Sequence, residues 1–120
     1  MTEPMVNTQL VPSYRKEGEA LVATVRGEID LNNSPLLRSS LLHLVERHAP
    51  KQLVLNLAGV PYMDSSAIAV LVELLRKVGG SGRIVLTDLQ PRVKGLLEIA
   101  RLHTIFRLVG SEREALGQAS

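Results

Sequence analysis

The chain alternates between short apolar runs and longer stretches in which apolar residues return every three or four positions. The runs read as strands and the stretches as helices, because side chains repeat every two residues along a strand and about every 3.6 along a helix. Residues 1–9 are polar and predict a flexible tail. Leu10-Val11-Pro12-Ser13-Tyr14-Arg15 predicts an edge strand, since Pro12 has no N–H to give to a ladder. Glu17-Gly18-Glu19 predicts a turn into a second strand, Ala20 to Arg26, so that the two form a hairpin. Ser34-Pro35 predicts a helix start, with Ser34 as the cap and Pro35 in the first turn. Leu36, Leu37, Leu41, Leu44 and Val45 give that helix an apolar stripe, and it ends near His48, ahead of Pro50. Gln52 to Leu57 is apolar enough for a central strand covered on both faces.

A loop from Val60 to Asp64 then leads into a second helix. Drawn at about 100° per residue, Ser65, Arg76, Ala69, Glu73, Ser66 and Lys77 fall within an arc of about 120°. Val70, Leu74, Ala67, Val78, Leu71, Leu75, Ile68 and Val72 fill the rest. One narrow polar face therefore carries both hydroxyls, and the broad apolar face belongs to the core. Gly79-Gly80-Ser81-Gly82 ends the helix, and Arg83 to Thr87 is the next strand. Pro91 starts another helix with Val93, Leu96, Leu97 and Ala100 inward. Ile105 to Leu108 is a short last strand, and Ser111, with Glu114 three residues on, caps a terminal helix reaching Gln118. Strands alternating with crossover helices predict an α/β domain with a largely parallel sheet, made mixed by the first hairpin. A single domain over 10–118 is expected, with no internal repeat.

Composition narrows the chemistry. The 120 residues suffice for a real core. With no cysteine, disulfides and thiolate chemistry are excluded. A net charge of +2, from 14 basic and 12 acidic residues, implies no strong polyanion partner. Aromatics at 2%, with no tryptophan, argue against a base-stacking surface, so no direct nucleic-acid contact is expected. No apolar run approaches the roughly 18 residues of a membrane span, and no basic start precedes a long apolar run. A cytoplasmic protein without membrane insertion is the expectation. Gly79-Gly80-Ser81-Gly82 is not a phosphate loop, because no Gly-Lys-Ser/Thr follows and a strand comes next. His43 and His48 do not share a helix face well and His103 is isolated, so no metal is expected. No Ser/His/Asp set is visible, and neither an enzyme nor a cofactor is indicated. Arg92, Lys94 and Arg101 make a basic edge that reads most simply as a solvated face.

The stretch with chemistry is Met63-Asp64-Ser65-Ser66, at the mouth of the second helix. Helix N-termini expose unpaired N–H groups and the positive end of the peptide dipoles. A serine there can simply cap the helix, and on spacing alone that plain reading stands. A phosphate added there would sit where negative charge is favoured.

Met63-Asp64-Ser65-Ser66 ahead of an apolar helix resembles the phosphorylatable loop of STAS-domain anti-sigma factor antagonists. Gly27-Glu28-Ile29-Asp30 resembles that family's second block, and the similarity continues through Gly82-Arg83-Ile84-Val85-Leu86 and Pro91-Arg92-Val93-Lys94-Gly95-Leu96-Leu97. It covers about residues 10 to 118. The resemblance implies a STAS-like mixed, largely parallel sheet with helices packed mainly on one side. It implies Ser65 as phosphoacceptor, with Asp30, Asp64, Ser66, Ala69 and Glu73 forming its neighbourhood and the partner contact. The implied function is a partner switch. Unphosphorylated, the chain binds an anti-sigma factor that is also a GHKL-type serine kinase. Phosphorylation of Ser65 releases it, and a serine phosphatase resets it. A monomer or weak homodimer is expected. The alternative is a non-switching STAS accessory subunit of an ABC lipid transporter. Two positions depart from the family. Ala67 stands where glycine is common, which would strain a loop needing positive φ. Arg101 or Leu102 stands where glycine often ends the third long helix, which weakens that cap.

Overall fold

The computed structural model describes residues 6–117. β1 (Ser13–Glu17) and β2 (Ala20–Arg26) pair antiparallel, with Glu17 opposite Ala20 across a two-residue turn. Thereafter helices separate strands that pair parallel. α1 (Ser34–His48) leads to β3 (Gln52–Gly59), α2 (Ser65–Val78) to β4 (Ile84–Thr87), and α3 (Pro91–Ile99) to β5 (Arg107–Val109). A 3₁₀ turn, Leu102–Thr104, precedes β5, and the short α4 (Glu112–Ala115) follows it. The strands lie in the order β1-β2-β3-β4-β5, so β3 is central.

Strand alternation decides what each face of the sheet carries. Leu21, Ala23 and Val25 of β2, Leu53, Leu55 and Leu57 of β3, and Ile84 and Leu86 of β4 face the three long helices. There they join Leu37, Leu41 and Leu44 of α1, Val70, Leu71 and Leu74 of α2, and Val93 and Leu97 of α3 in one core. Val22, Val54 and Val85 face the other way and are covered by Ala115 and Leu116. The sheet is thus mixed and largely parallel, with helices mainly on one side.

α4 is held over that second face by a charged clamp. The Glu112 carboxylate accepts from the Asn56 amide at 2.8 Å and from the Arg15 guanidinium at 3.0 Å. These two donors, Asn56 first, hold its pKa below the usual glutamate range. A lowered folded-state pKa contributes stability above the unfolded value that is lost as pH falls through the folded one. Glu112→Ala should therefore cost about 1 kcal/mol at neutral pH. The gap from wild type should narrow below about pH 4, as followed by urea unfolding at each pH.

The departures from expectation are local. The first strand begins at Ser13, not Leu10. Leu10 and Val11 are buried instead, and the Leu10 carbonyl accepts from the Arg26 N–H at 2.9 Å. Of the expected tail over 1–9, residues 1–5 lie outside the described residues; the Asn7 N–H donates to Ser40 Oγ at 2.7 Å. Ser34 is not the cap of α1: Asn33 holds that position, and Ser34 is a buried first-turn residue. The Asn33 side chain does not cap either, because it closes the preceding loop, accepting from the Asp30 N–H and donating to the Glu28 carbonyl, both at 2.8 Å. The last strand runs over Arg107–Val109, because Phe106 drops into the core ahead of it. α4 is capped by Ser111, which accepts from the Glu114 N–H at 3.2 Å, but it ends at Ala115; Gln118 lies outside the described residues.

α3 stops at Ile99, so Ala100 is exposed rather than inward. Arg101 then takes a left-handed conformation, φ 59° and ψ 29°. A side chain there is strained by roughly 1–2 kcal/mol. Arg101→Gly should raise stability by about 1 kcal/mol, seen as a higher urea midpoint at unchanged slope.

Candidate functional site

Two chain segments meet to build the site. After β3, Val60 is buried and the chain passes Pro61-Tyr62 to reach Met63. The segment leaving β2 runs alongside, so that Ile29 and Met63 form a parallel bridge. The Ile29 N–H donates to the Tyr62 carbonyl at 3.0 Å, and the Asp64 N–H to the Ile29 carbonyl at 3.1 Å. Both side chains are buried and anchor the clip from below. Asp30 and Asp64, which directly follow the bridged pair, are thereby placed on adjoining segments.

Asp64 is the cap of α2. Its carboxylate accepts the Ser66 N–H at 2.9 Å and the Ser66 hydroxyl. The hydroxyl bond is the largest influence holding its pKa below the usual aspartate range, and the backbone N–H groups of Ser66, Ala67 and Leu31 act the same way. The acid therefore stays charged beside the helix mouth. The two serines are thus not equivalent. Ser66 is half-buried and its hydroxyl is engaged. Ser65 is exposed, opens the helix, and makes no side-chain hydrogen bond among the described residues.

Ala67 lies within α2, fully buried and outside the positive-φ positions, so its methyl packs in the core without backbone strain. The polar arc expected for α2 is present: Ser65, Ala69, Arg76 and Lys77 are exposed, and Ser66 and Glu73 partly so. Glu73 carries a contact that sequence reasoning missed. It receives two hydrogen bonds from Arg38 of α1, at 2.7 and 2.6 Å, and this pairing holds its pKa down. The polar face of α2 is therefore joined to α1 at Glu73. Asp30 has a structural task. Its Oδ1 accepts from the N–H groups of Asn32 at 2.9 Å and Asn33 at 3.2 Å, closing its own turn. Another missed contact lies on the other flank of the loop, where the Arg92 guanidinium sits 5.1 Å from the centre of the Tyr62 ring. Among the described residues, no three His, Asp or Glu side chains gather as a metal site, and no helix is long and apolar enough to cross a membrane.

Residues 11–115 match the STAS domain family, and the chain belongs to that family. It is 36% identical over 84 residues to the anti-sigma-B factor antagonist of Bacillus subtilis (strain 168), spanning 68% of this chain and 73% of that one. It is 28% identical over 99 residues to the anti-sigma F factor antagonist of Paenibacillus polymyxa, spanning 80% and 83%. Its fold matches an anti-sigma factor antagonist from Mycobacterium paratuberculosis with a TM-score of 0.78, over 88% of this chain and 89% of that one, at 23% identity.

Proposed function

We propose that this chain is an anti-sigma factor antagonist that works by partner switching. Unphosphorylated, it binds an anti-sigma factor that is also a GHKL-type serine kinase, and so frees a sigma factor in the cytoplasm. The kinase transfers phosphate to Ser65, the complex separates, and a serine phosphatase restores the starting state. The observation that carries this reading is the inequality of the two hydroxyls: Ser65 is exposed and unencumbered at the mouth of α2, whereas Ser66 donates to Asp64. The names of the relatives support the same role.

The chain is then a substrate and a ligand, not a catalyst. The purified protein alone should neither hydrolyse ATP nor label itself. The deciding experiment supplies a candidate kinase with ATP and maps phosphate by mass spectrometry. Modification of Ser65 with loss of binding supports the switch. A complex that persists without phosphate on either serine points instead to the accessory-subunit reading.

A further inference from the structure

On the other flank of the loop, a groove of about 340 Å³ runs between Tyr62-Met63 and α3, lined by Pro91, Arg92, Gly95, Leu96 and Ile99. Two features of it have no structural purpose among the described residues. Ile99 is 85% exposed, the most exposed of the large apolar side chains among the described residues. Gly95 sits in the middle of α3, where glycine lowers the folding equilibrium constant about two- to fivefold relative to alanine. Its φ is not left-handed, and a Cβ built there meets nothing within 4 Å, so neither conformation nor packing requires glycine. Arg92 is held at the groove by its stacking on Tyr62. A helix glycine facing open space leaves room for a partner's backbone to approach closely.

We infer that this groove is a second contact point for the anti-sigma kinase, and that it takes a segment presenting an apolar side chain beside a carboxylate. This rests on the switch reading above. The apolar part meets Ile99, Leu96 and the Tyr62 ring. The carboxylate meets the Arg92 guanidinium, the one charged side chain in the groove's lining among the described residues. The missing Cβ of Gly95 lets the partner's backbone lie close. Because Tyr62 and Met63 run directly into Asp64 and Ser65, the groove is continuous with the phosphoacceptor loop.

The test uses the purified kinase that modifies Ser65 and the full chain carrying Gly95→Ala, Gly95→Gln or Ile99→Ser. Gly95→Ala should raise the folding constant about two- to fivefold. Gly95→Gln should fold at least as stably as wild type and bind the kinase about tenfold more weakly or worse, because its side chain fills the groove. Ile99→Ser should leave stability unchanged and weaken binding to a similar degree. A stabilised variant that binds worse cannot be explained by damage to the fold. Binding within twofold of wild type for both groove variants, with Ser65 still phosphorylated, overturns the inference and leaves the switch standing. Self-association lost in Gly95→Gln with kinase binding intact also overturns it, assigning the groove to a second copy. A wild-type chain that gains no phosphate on Ser65 overturns the switch reading, and this partner with it.

Discussion

Ser65→Ala is expected to stay bound to the kinase partner in the presence of ATP, under conditions where the wild-type chain is released. The Ser65 hydroxyl makes no hydrogen bond among the described residues, so removing it breaks nothing in the fold. Alanine has the higher helix propensity, so stability should be unchanged or higher by a few tenths of a kcal/mol, about the size of that difference. The contact surface loses one oxygen atom. What disappears is the capacity to carry a phosphate, with its charge of close to −2 at neutral pH. In the free chain that charge is tolerated, because the N–H groups and dipole of α2 favour an anion there by about 0.3–1 kcal/mol. Within an interface it must be desolvated beside Asp64, whose own carboxylate is held in its charged form. Both effects favour separation, and each 1.4 kcal/mol corresponds to about tenfold in affinity.

The neighbouring variants separate the roles of the two serines. Ser65→Asp adds one charge at the same place, so binding should weaken only partly while the fold is kept. Ser66→Ala removes the hydroxyl bond to Asp64 but leaves the N–H that the same carboxylate accepts at 2.9 Å. It should still gain phosphate on Ser65, more slowly if the Ser66 bond helps to set the loop. Phosphosite mapping with binding measured with and without ATP checks all three. Phosphate on Ser66 alone would reassign the acceptor.

The parts of this molecule that could be read from sequence are those in which one element carries its own signal. The wheel of α2 separates the exposed Ser65, Ala69, Arg76 and Lys77 from the buried Val70, Leu71 and Leu74 because its apolar residues follow the helical period closely. β2 is legible from its β-branched residues between a glycine turn and the polar Arg26-Gly27. Leu10-Val11 misleads because apolar residues in a row look like a strand, whereas here they fill the core and Pro12 delays the ladder to Ser13. Asn33 and Ser34 are both good caps, and only the demand of the 28–33 loop for the Asn33 amide decides how they are used. The contacts of Arg38 with Glu73, Glu112 with Arg15 and Asn56, and Arg92 with Tyr62 join residues far apart in the chain. No local periodicity reports such pairs. Nor does spacing distinguish Ser65 from Ser66, because that difference lies in where the Asp64 carboxylate turns.

Ala69→Arg and Val70→Asp, one residue apart on α2, should fail in opposite ways. Ala69 is exposed and lies between Ser65 and Glu73 on the polar arc. An arginine there costs little helix propensity and has Glu73 one turn on as a favourable neighbour, so the domain should unfold at nearly the wild-type urea concentration. A long cation projecting from the middle of the proposed contact face should nevertheless lower kinase binding by at least about tenfold, or 1.4 kcal/mol. Val70 is only 5% exposed and packs in the core with Leu71 and Leu74. Aspartate there removes an apolar side chain and buries a charge with no partner, a loss of about 4 kcal/mol or more against a typical total of roughly 5–15 kcal/mol. That variant should unfold at a much lower urea concentration than wild type, and any loss of binding should track the fraction unfolded. Far-UV circular dichroism with urea titration reads the first quantity and kinase binding the second. If Ala69→Arg binds normally while folded, the partner does not use this face of α2, and the position of Ser65 must be reconciled with a contact made elsewhere. If Val70→Asp keeps a wild-type midpoint, the division of α2 into a buried and a solvent face is wrong, and Ser65 is no longer set on an exposed face by the packing of the helix.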